Sequence, residues 1–187
     1  MPPWGLYVHV PFCGAICPYC DFNVHLRREL PWEAFTEALL AELDFAADHE
    51  FAGAPALHSI YFGGGTPSLA PPALFDAVIA RAKARFGLSP GAEISLEAMP
   101  KTLSPQTLAG YAAAGVNRLS LGWQSTHDHL LRTLGRQHRA ADSAIALQQV
   151  RDAGFVNVSL DLIFAVPGQS AADSAADVAA LIAAAPQ

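Results

Sequence analysis

Three cysteines, Cys13, Cys17 and Cys20, are the residues whose type and spacing most plainly can do chemistry, and they are the chain's full complement. An odd, tightly clustered set does not make a disulfide framework; it reads as a metal or cluster site. Two assignments fit the spacing. A structural zinc site takes four ligands, and His25 or His9 could complete it. A [4Fe–4S] cluster takes three thiolates and leaves its fourth iron open to a substrate or a second cofactor. The cysteine spacing leaves both open.

The elements that must position this loop show in the hydrophobic period. Strands are expected over 6–10, 57–62, 92–97, 116–121 and 156–164, alternating with helices over 32–50, 72–86, 105–114, 140–153 and 171–185. Ser104-Pro105 and Ser170-x-x-Asp173 mark helix starts, and Gly87, Gly115 and Gly154 follow helices just ahead of strands. Repeated βα units predict a parallel sheet or barrel. One strand parity is apolar and suits packing against helices: Leu6, Val8, Val10; Ile94, Leu96; Leu119, Leu121, Trp123; Val156, Val158, Leu160, Leu162. The other is polar: Tyr7, His9; Glu93, Ser95, Glu97; Arg118, Ser120, Gly122, Gln124; Asn157, Ser159, Asp161. A closed barrel interior packs branched aliphatics. A polar inner face therefore predicts a wide or partly open barrel around a polar ligand, the alternative being an antiparallel sheet with one wet face.

Composition narrows the function classes. The 187 residues suffice for one sizeable core, and 52% hydrophobic against 15% charged residues is a globular balance. Eleven basic against 17 acidic residues give a net charge of −6, which argues against nucleic acid or an anionic membrane as main partner. No apolar run approaches the roughly 18 residues of a membrane span, so no transmembrane segment is expected. The N-terminus lacks the basic-then-apolar order of a signal peptide, so the cytoplasm is the expected compartment.

Cys13-Gly14-Ala15-Ile16-Cys17-Pro18-Tyr19-Cys20 resembles the CxxxCxxC signature of the radical S-adenosylmethionine superfamily. Tyr7-Val8-His9-Val10-Pro11-Phe12 before it and Asp21-Phe22-Asn23 after it resemble the oxygen-independent coproporphyrinogen III oxidase-like family. Gly63-Gly64-Gly65-Thr66-Pro67-Ser68, the stretch from Ala114 to Ser125, and Leu134-Gly135-Arg136 fit that family too, most closely its heme-chaperone branch. The resemblance runs end to end. It implies an α/β fold, a partial (β/α) barrel of about five parallel strands with outer helices. Residues 1–187 would be a radical-SAM core domain that is incomplete at its C-terminal end and lacks the family's C-terminal domain. The family's heme-contacting motif has no counterpart in this sequence.

The resemblance further implies that Cys13, Cys17 and Cys20 ligate a [4Fe–4S] cluster whose open iron chelates S-adenosylmethionine. Tyr7 and Tyr19 match positions lining that cofactor, Tyr19 against the adenine. Gly64, Gly65 and Thr66 match the turn that meets its methionine part; glycines there let backbone approach a ligand closely. Glu97, Gln124 and Asp161 match further contacts near the C-terminal ends of strands, where barrel enzymes build sites. Arg136 matches a position suited to the cofactor carboxylate. The bland alternative for Glu97 and Asp161 is an ion pair with Arg118 or Arg136. His9 is expected to support or pack, and His127, His129 and His138 to lie at the surface.

Three functions stay open on these grounds. The first is a heme chaperone that binds heme and delivers it to recipient hemoproteins. The second is a coproporphyrinogen III dehydrogenase acting on porphyrinogen propionates; that branch carries an extra cysteine after the third ligand, where this chain has Asp21-Phe22-Asn23. The third is an inactive fragment or zinc-binding module. Either of the first two implies an electron donor of flavodoxin or ferredoxin type.

Overall fold

The computed structural model describes residues 3–186. Its elements, in chain order, are β1 (Trp4–Val10), β2 (Phe12–Cys13), β3 (His25–Leu26), α1 (Trp32–Phe45), β4 (Leu57–Gly64), α2 (Pro72–Phe86), β5 (Leu88–Ala98), α3 (Pro105–Ala114), β6 (Arg118–Gln124), α4 (Asp128–Thr133), α5 (Ala140–Asp152), β7 (Asn157–Leu162) and α6 (Ala171–Ala184). Five strands form one all-parallel sheet in the order β1-β4-β5-β6-β7. Each new strand is laid beside the one before, with a helix in every crossover of the sheet. That sequential winding is the winding of a (β/α) barrel, and it excludes the antiparallel alternative.

The apolar parity packs as expected. Val8, Val10, Ile94, Leu96, Leu119, Leu121, Trp123, Val158 and Leu160 are buried. Most of them join Leu74, Phe75 and Val78 of α2, Leu108 and Tyr111 of α3, and Leu147 and Val150 of α5 in one core on the helix-covered face. Phe75 anchors it, edge-on to Phe62 at 4.9 Å and to Tyr111 at 5.2 Å. Ser104 and Ser170 cap α3 and α6 through reciprocal capping boxes with Thr107 and Asp173.

Several boundaries differ from the sequence reading. The first helix ends at Phe45, and Ala46–Glu50 forms a single wider π turn. β5 begins at Leu88, where Leu57 pairs with Leu88 across an irregularity ahead of the Ser59–Glu93 pair. Val156 and Phe164 fall outside β7 and are 75% and 81% exposed, so Val156 does not pack with the apolar parity. α4, absent from the sequence reading, packs Leu130 and Leu134 against Val166 in a small separate cluster. Among the described residues no helix is long and apolar enough to cross a membrane.

Candidate cluster and cofactor site

The polar faces of β4, β5, β6 and β7 end on one cavity of about 440 Å³ at their carboxyl ends. Cys13, Cys17 and Cys20 form one wall of it. The loop carrying them is held at both ends. β2 and β3 pair in parallel, and the His25 amide donates to the Pro11 carbonyl at 2.7 Å. His9 contacts the Asn23 carbonyl through Nε2 at 2.8 Å and the Tyr7 hydroxyl through Nδ1 at 3.2 Å. Both of its nitrogens are thus engaged, and neither His9 nor His25 lines the cavity with the cysteines. A Cys3His zinc site with either histidine does not fit this arrangement.

The glycine run that ends β4 is shaped by three close approaches. A Cβ on Gly63 would lie 2.8 Å from the Tyr61 ring and 3.2 Å from the Glu97 carboxylate. On Gly64, whose φ is +115°, it would lie 2.7 Å from the His9 ring. On Gly65 it would meet the Phe12 carbonyl at 2.8 Å and Cys13 Sγ at 2.9 Å. The turn therefore runs against the cysteine loop with no side chain between them. Ser68 ties it to the end of β5, accepting from the Met99 amide at 3.0 Å and the Thr102 hydroxyl at 2.6 Å. The buried Thr66 hydroxyl lies 3.6 Å from Cys13 Sγ and 3.4 Å from Met99 Sδ. Burial raises the Cys13 thiol above its ordinary pKa; the Thr66 contact opposes this, and the neighbouring Cys20 and Cys17 thiols add to it.

Glu97, Gln124, Arg136 and Asp161 line the same cavity. Glu97 accepts from the Tyr61 hydroxyl at 2.7 Å and the Gly64 amide at 3.2 Å. Burial raises its carboxyl, those two bonds pull it back, and Asp161 pushes it up again. Both Asp161 oxygens stand 3.0 Å from the Ser120 hydroxyl; loss of hydration raises this carboxyl, with Ser120 and Arg118 opposing. Arg118 donates to the Ser95 hydroxyl at 3.3 Å and ion-pairs with Glu93 at 3.9 Å, and among the described residues neither Glu97 nor Asp161 is salt-bridged to an arginine. Gln124 closes β6 with φ +68°, a strained conformation for a residue with a side chain. Arg136 reaches the Tyr19 hydroxyl at 3.3 Å, Cys17 Sγ at 3.9 Å and the Gly122 carbonyl at 3.5 Å, while its Nε is buried without a partner. Tyr19 lines the cavity; Tyr7 lies beside it on β1, 56% exposed, stacked on Tyr61 at 6.1 Å.

The sequence profile of the Radical SAM superfamily matches residues 7–179. The chain belongs to the radical SAM superfamily. Its sequence is 40% identical over 183 residues to a protein of Mycobacterium tuberculosis named heme chaperone HemW, covering 96% of this chain and 46% of that one. It is 37% identical over 179 residues to heme chaperone HemW of Escherichia coli, covering 95% and 47%. The chain spans about half the length of the curated relatives it matches. Among solved structures it is similar to coproporphyrinogen III oxidase HemN of Escherichia coli, described as a radical SAM enzyme, with a TM-score of 0.82 at 27% identity over 98% of this chain and 42% of that one.

Radical SAM proteins in general work with a [4Fe–4S] cluster and S-adenosylmethionine. The residues present fit both groups. Three thiols share one loop and one cavity wall, and the Gly65 approach leaves Cys13 without a side chain in front of it. The orphaned Arg136 Nε, the half-buried Glu97 carboxylate and the exposed Asp161 carboxylate provide opposite charges for a zwitterionic, cationic ligand.

The structure also corrects one expectation and supplies residues the sequence reading missed. His138 is buried, with Nε2 3.2 Å from the Trp123 carbonyl, and His127 is half-buried against Asp173 and Asp177; of the three only His129 is exposed. Tyr61 and Met99 join the site unannounced, while Ser120, expected on the polar parity, is the residue that holds Asp161. Extending the polar parity to β4, as Ser59-x-Tyr61-x-Gly63, would have found Tyr61, because Tyr7 pairs with Tyr61 in register.

Proposed function

We propose that this chain is the cofactor-binding part of a heme chaperone of the radical SAM superfamily. The observation that carries the reading is the convergence of Cys13, Cys17 and Cys20 with Gly64, Gly65, Thr66, Glu97, Gln124, Arg136 and Asp161 on one cavity at the carboxyl ends of the sheet. In this reading the three thiolates hold three irons of a [4Fe–4S] cluster. Arg136 pairs with the carboxylate of S-adenosylmethionine, a charge-assisted contact in a partly desolvated site. Glu97 and Asp161 accept from its ammonium and ribose hydroxyl groups. Gln124 and Tyr19 close the cavity over the nucleoside, and Tyr7 flanks it. Bound there, the two groups supply one-electron chemistry; the chain's own residues bind, orient and exclude water.

The chaperone assignment rests on the names of relatives at 37–40% identity. Heme, the recipient hemoproteins, a flavodoxin- or ferredoxin-like reductant and a cytoplasmic location all belong to that reading. A second reading, coproporphyrinogen III dehydrogenase, is favoured by the superposition on HemN. Asp21-Phe22-Asn23, without a cysteine, stands against it.

Anaerobic reconstitution with iron and sulfide, followed by EPR of the reduced protein, tests the site. The expected result is a [4Fe–4S] signal that changes when S-adenosylmethionine is added, and its loss in Cys17→Ser. A colourless protein binding one zinc at the three cysteines overturns the reading. Heme titration against turnover of coproporphyrinogen III separates the two functions.

A further inference from the structure

We propose that Tyr61 is a positioning residue for S-adenosylmethionine: it fixes the Glu97 carboxylate in the orientation from which that group meets the cofactor. The inference rests on the cofactor reading given above. Tyr61 does not line the cavity, whereas Glu97 does, so Tyr61 acts through Glu97. Its hydroxyl donates to Oε1 at 2.7 Å while the Gly64 amide donates to Oε2 at 3.2 Å. Both oxygens are therefore tethered to β4, and the carboxylate has no freedom to swing away. A long glutamate otherwise loses considerable rotamer entropy when it engages a ligand; a carboxylate already fixed does not lose it again.

Tyr61 is itself held. Its ring stacks on Tyr7 with a 19° tilt, and Gly63 lets the backbone pass where any Cβ would strike both tyrosines and Glu97. Tyr7 meets His9, and His9 meets the carbonyl of Asn23 at the end of the cysteine loop. One continuous set of contacts thus joins the carboxylate on β5 to the loop carrying Cys20. The titratable groups that face Glu97 are Tyr7 and His9 from β1, Tyr61 from β4 and Asp161 from β7.

A double-mutant cycle tests this, with S-adenosylmethionine as the calorimetric titrant of the reconstituted chain at matched iron content. Tyr61→Phe removes one hydroxyl and keeps the ring stack. The expected result is about tenfold weaker binding in the wild-type background, the size of one hydrogen bond to a charged group. No further loss is expected when Tyr61→Phe is added to Glu97→Ala, in which Tyr61 has no acceptor left to hold. The Tyr61 bond favours the ionised carboxylate, so its removal moves the acid limb of binding to higher pH. Tyr61→Phe binding like wild type, or losing the same factor in both backgrounds, overturns the inference and leaves the cofactor reading standing. Glu97→Ala binding like wild type overturns both the contact assigned to Glu97 and this inference. An assembled cluster with no affinity for S-adenosylmethionine overturns the function itself.

Discussion

Thr66 shows how a residue in the expected place can face a different atom from the expected one. The motif puts it beside the methionine part of the cofactor. The structure buries its side chain and aims the hydroxyl at Cys13 Sγ and Met99 Sδ. A hydrogen bond to a cluster sulfur stabilises the more negative, reduced state and raises the potential. Thr66→Val keeps the shape and removes the donor. The reduced-to-oxidised ratio at fixed potential should fall about threefold to tenfold, a drop of about 30–60 mV for a one-electron couple, with Thr66→Ser restoring it. A potentiometric titration followed by EPR reads this directly, and an unchanged midpoint would assign Thr66 to packing alone. The cysteines were legible because their spacing is local. Thr66's orientation was not, because it is set by the turn pressing on Phe12, more than 50 positions away in the chain.

At the scale of elements, the end of β6 and the middle of α6 are joined through one buried carboxylate. Asp177 accepts from the Ser125 hydroxyl at 3.1 Å and 3.0 Å, and from the Thr126 amide and hydroxyl at 2.6 Å each. Asp177→Ala would leave those donors buried without an acceptor. It should cost about 3 kcal/mol in chemical denaturation, with Asp177→Asn costing less because one acceptor oxygen survives. Equal stability of Asp177→Ala and wild type would mean that water replaces the carboxylate and that α6 is held by its apolar contacts alone. Elements with a clear period were readable: five parallel strands whose faces alternate, and helices of ten residues or more with caps at Ser104 and Ser170. The pieces missed were those in which period has too little length to register. α4 has six residues, β2 and β3 two each, and the added start of β5 runs through Pro90 and Gly91, which strands disfavour. Tertiary pairing creates these segments, so local sequence carries little trace of them.

For the molecule as a whole, the sheet separates two kinds of work: one face buries the apolar core against the helices, the other gathers charge around a cavity at a cost in stability. Glu97 and Asp161 are both raised above ordinary carboxyl values by lost hydration, and Asp161 raises Glu97 further. A carboxyl raised in the folded state contributes most stability at pH below its unfolded pKa, about 4, and that contribution is lost as pH rises through the folded value. At neutral pH the two ionised carboxylates therefore work against the fold, and a bound cation would offset this. His138 works in the opposite direction. Burial lowers its pKa, so its contribution is complete above the ordinary imidazole value of about 6.5 and is lost as pH falls below it. Comparing Asp161→Asn with wild type at matched pH cancels the His138 contribution. Because Asp161 is exposed and screened by solvent, the asparagine variant should melt only slightly higher at neutral pH, by about 1 °C or less, and the difference should shrink as acid protonates Asp161 in the wild type. S-adenosylmethionine should then raise the melting temperature of the reconstituted wild type more than that of the variant, because the ligand stabilises in proportion to its affinity. A variant that melts lower at neutral pH and gains as much from the ligand would make Asp161 a structural partner of Ser120. The reverse pattern, a more stable fold with a weaker site, is what a carboxylate placed for binding at the expense of the fold must give.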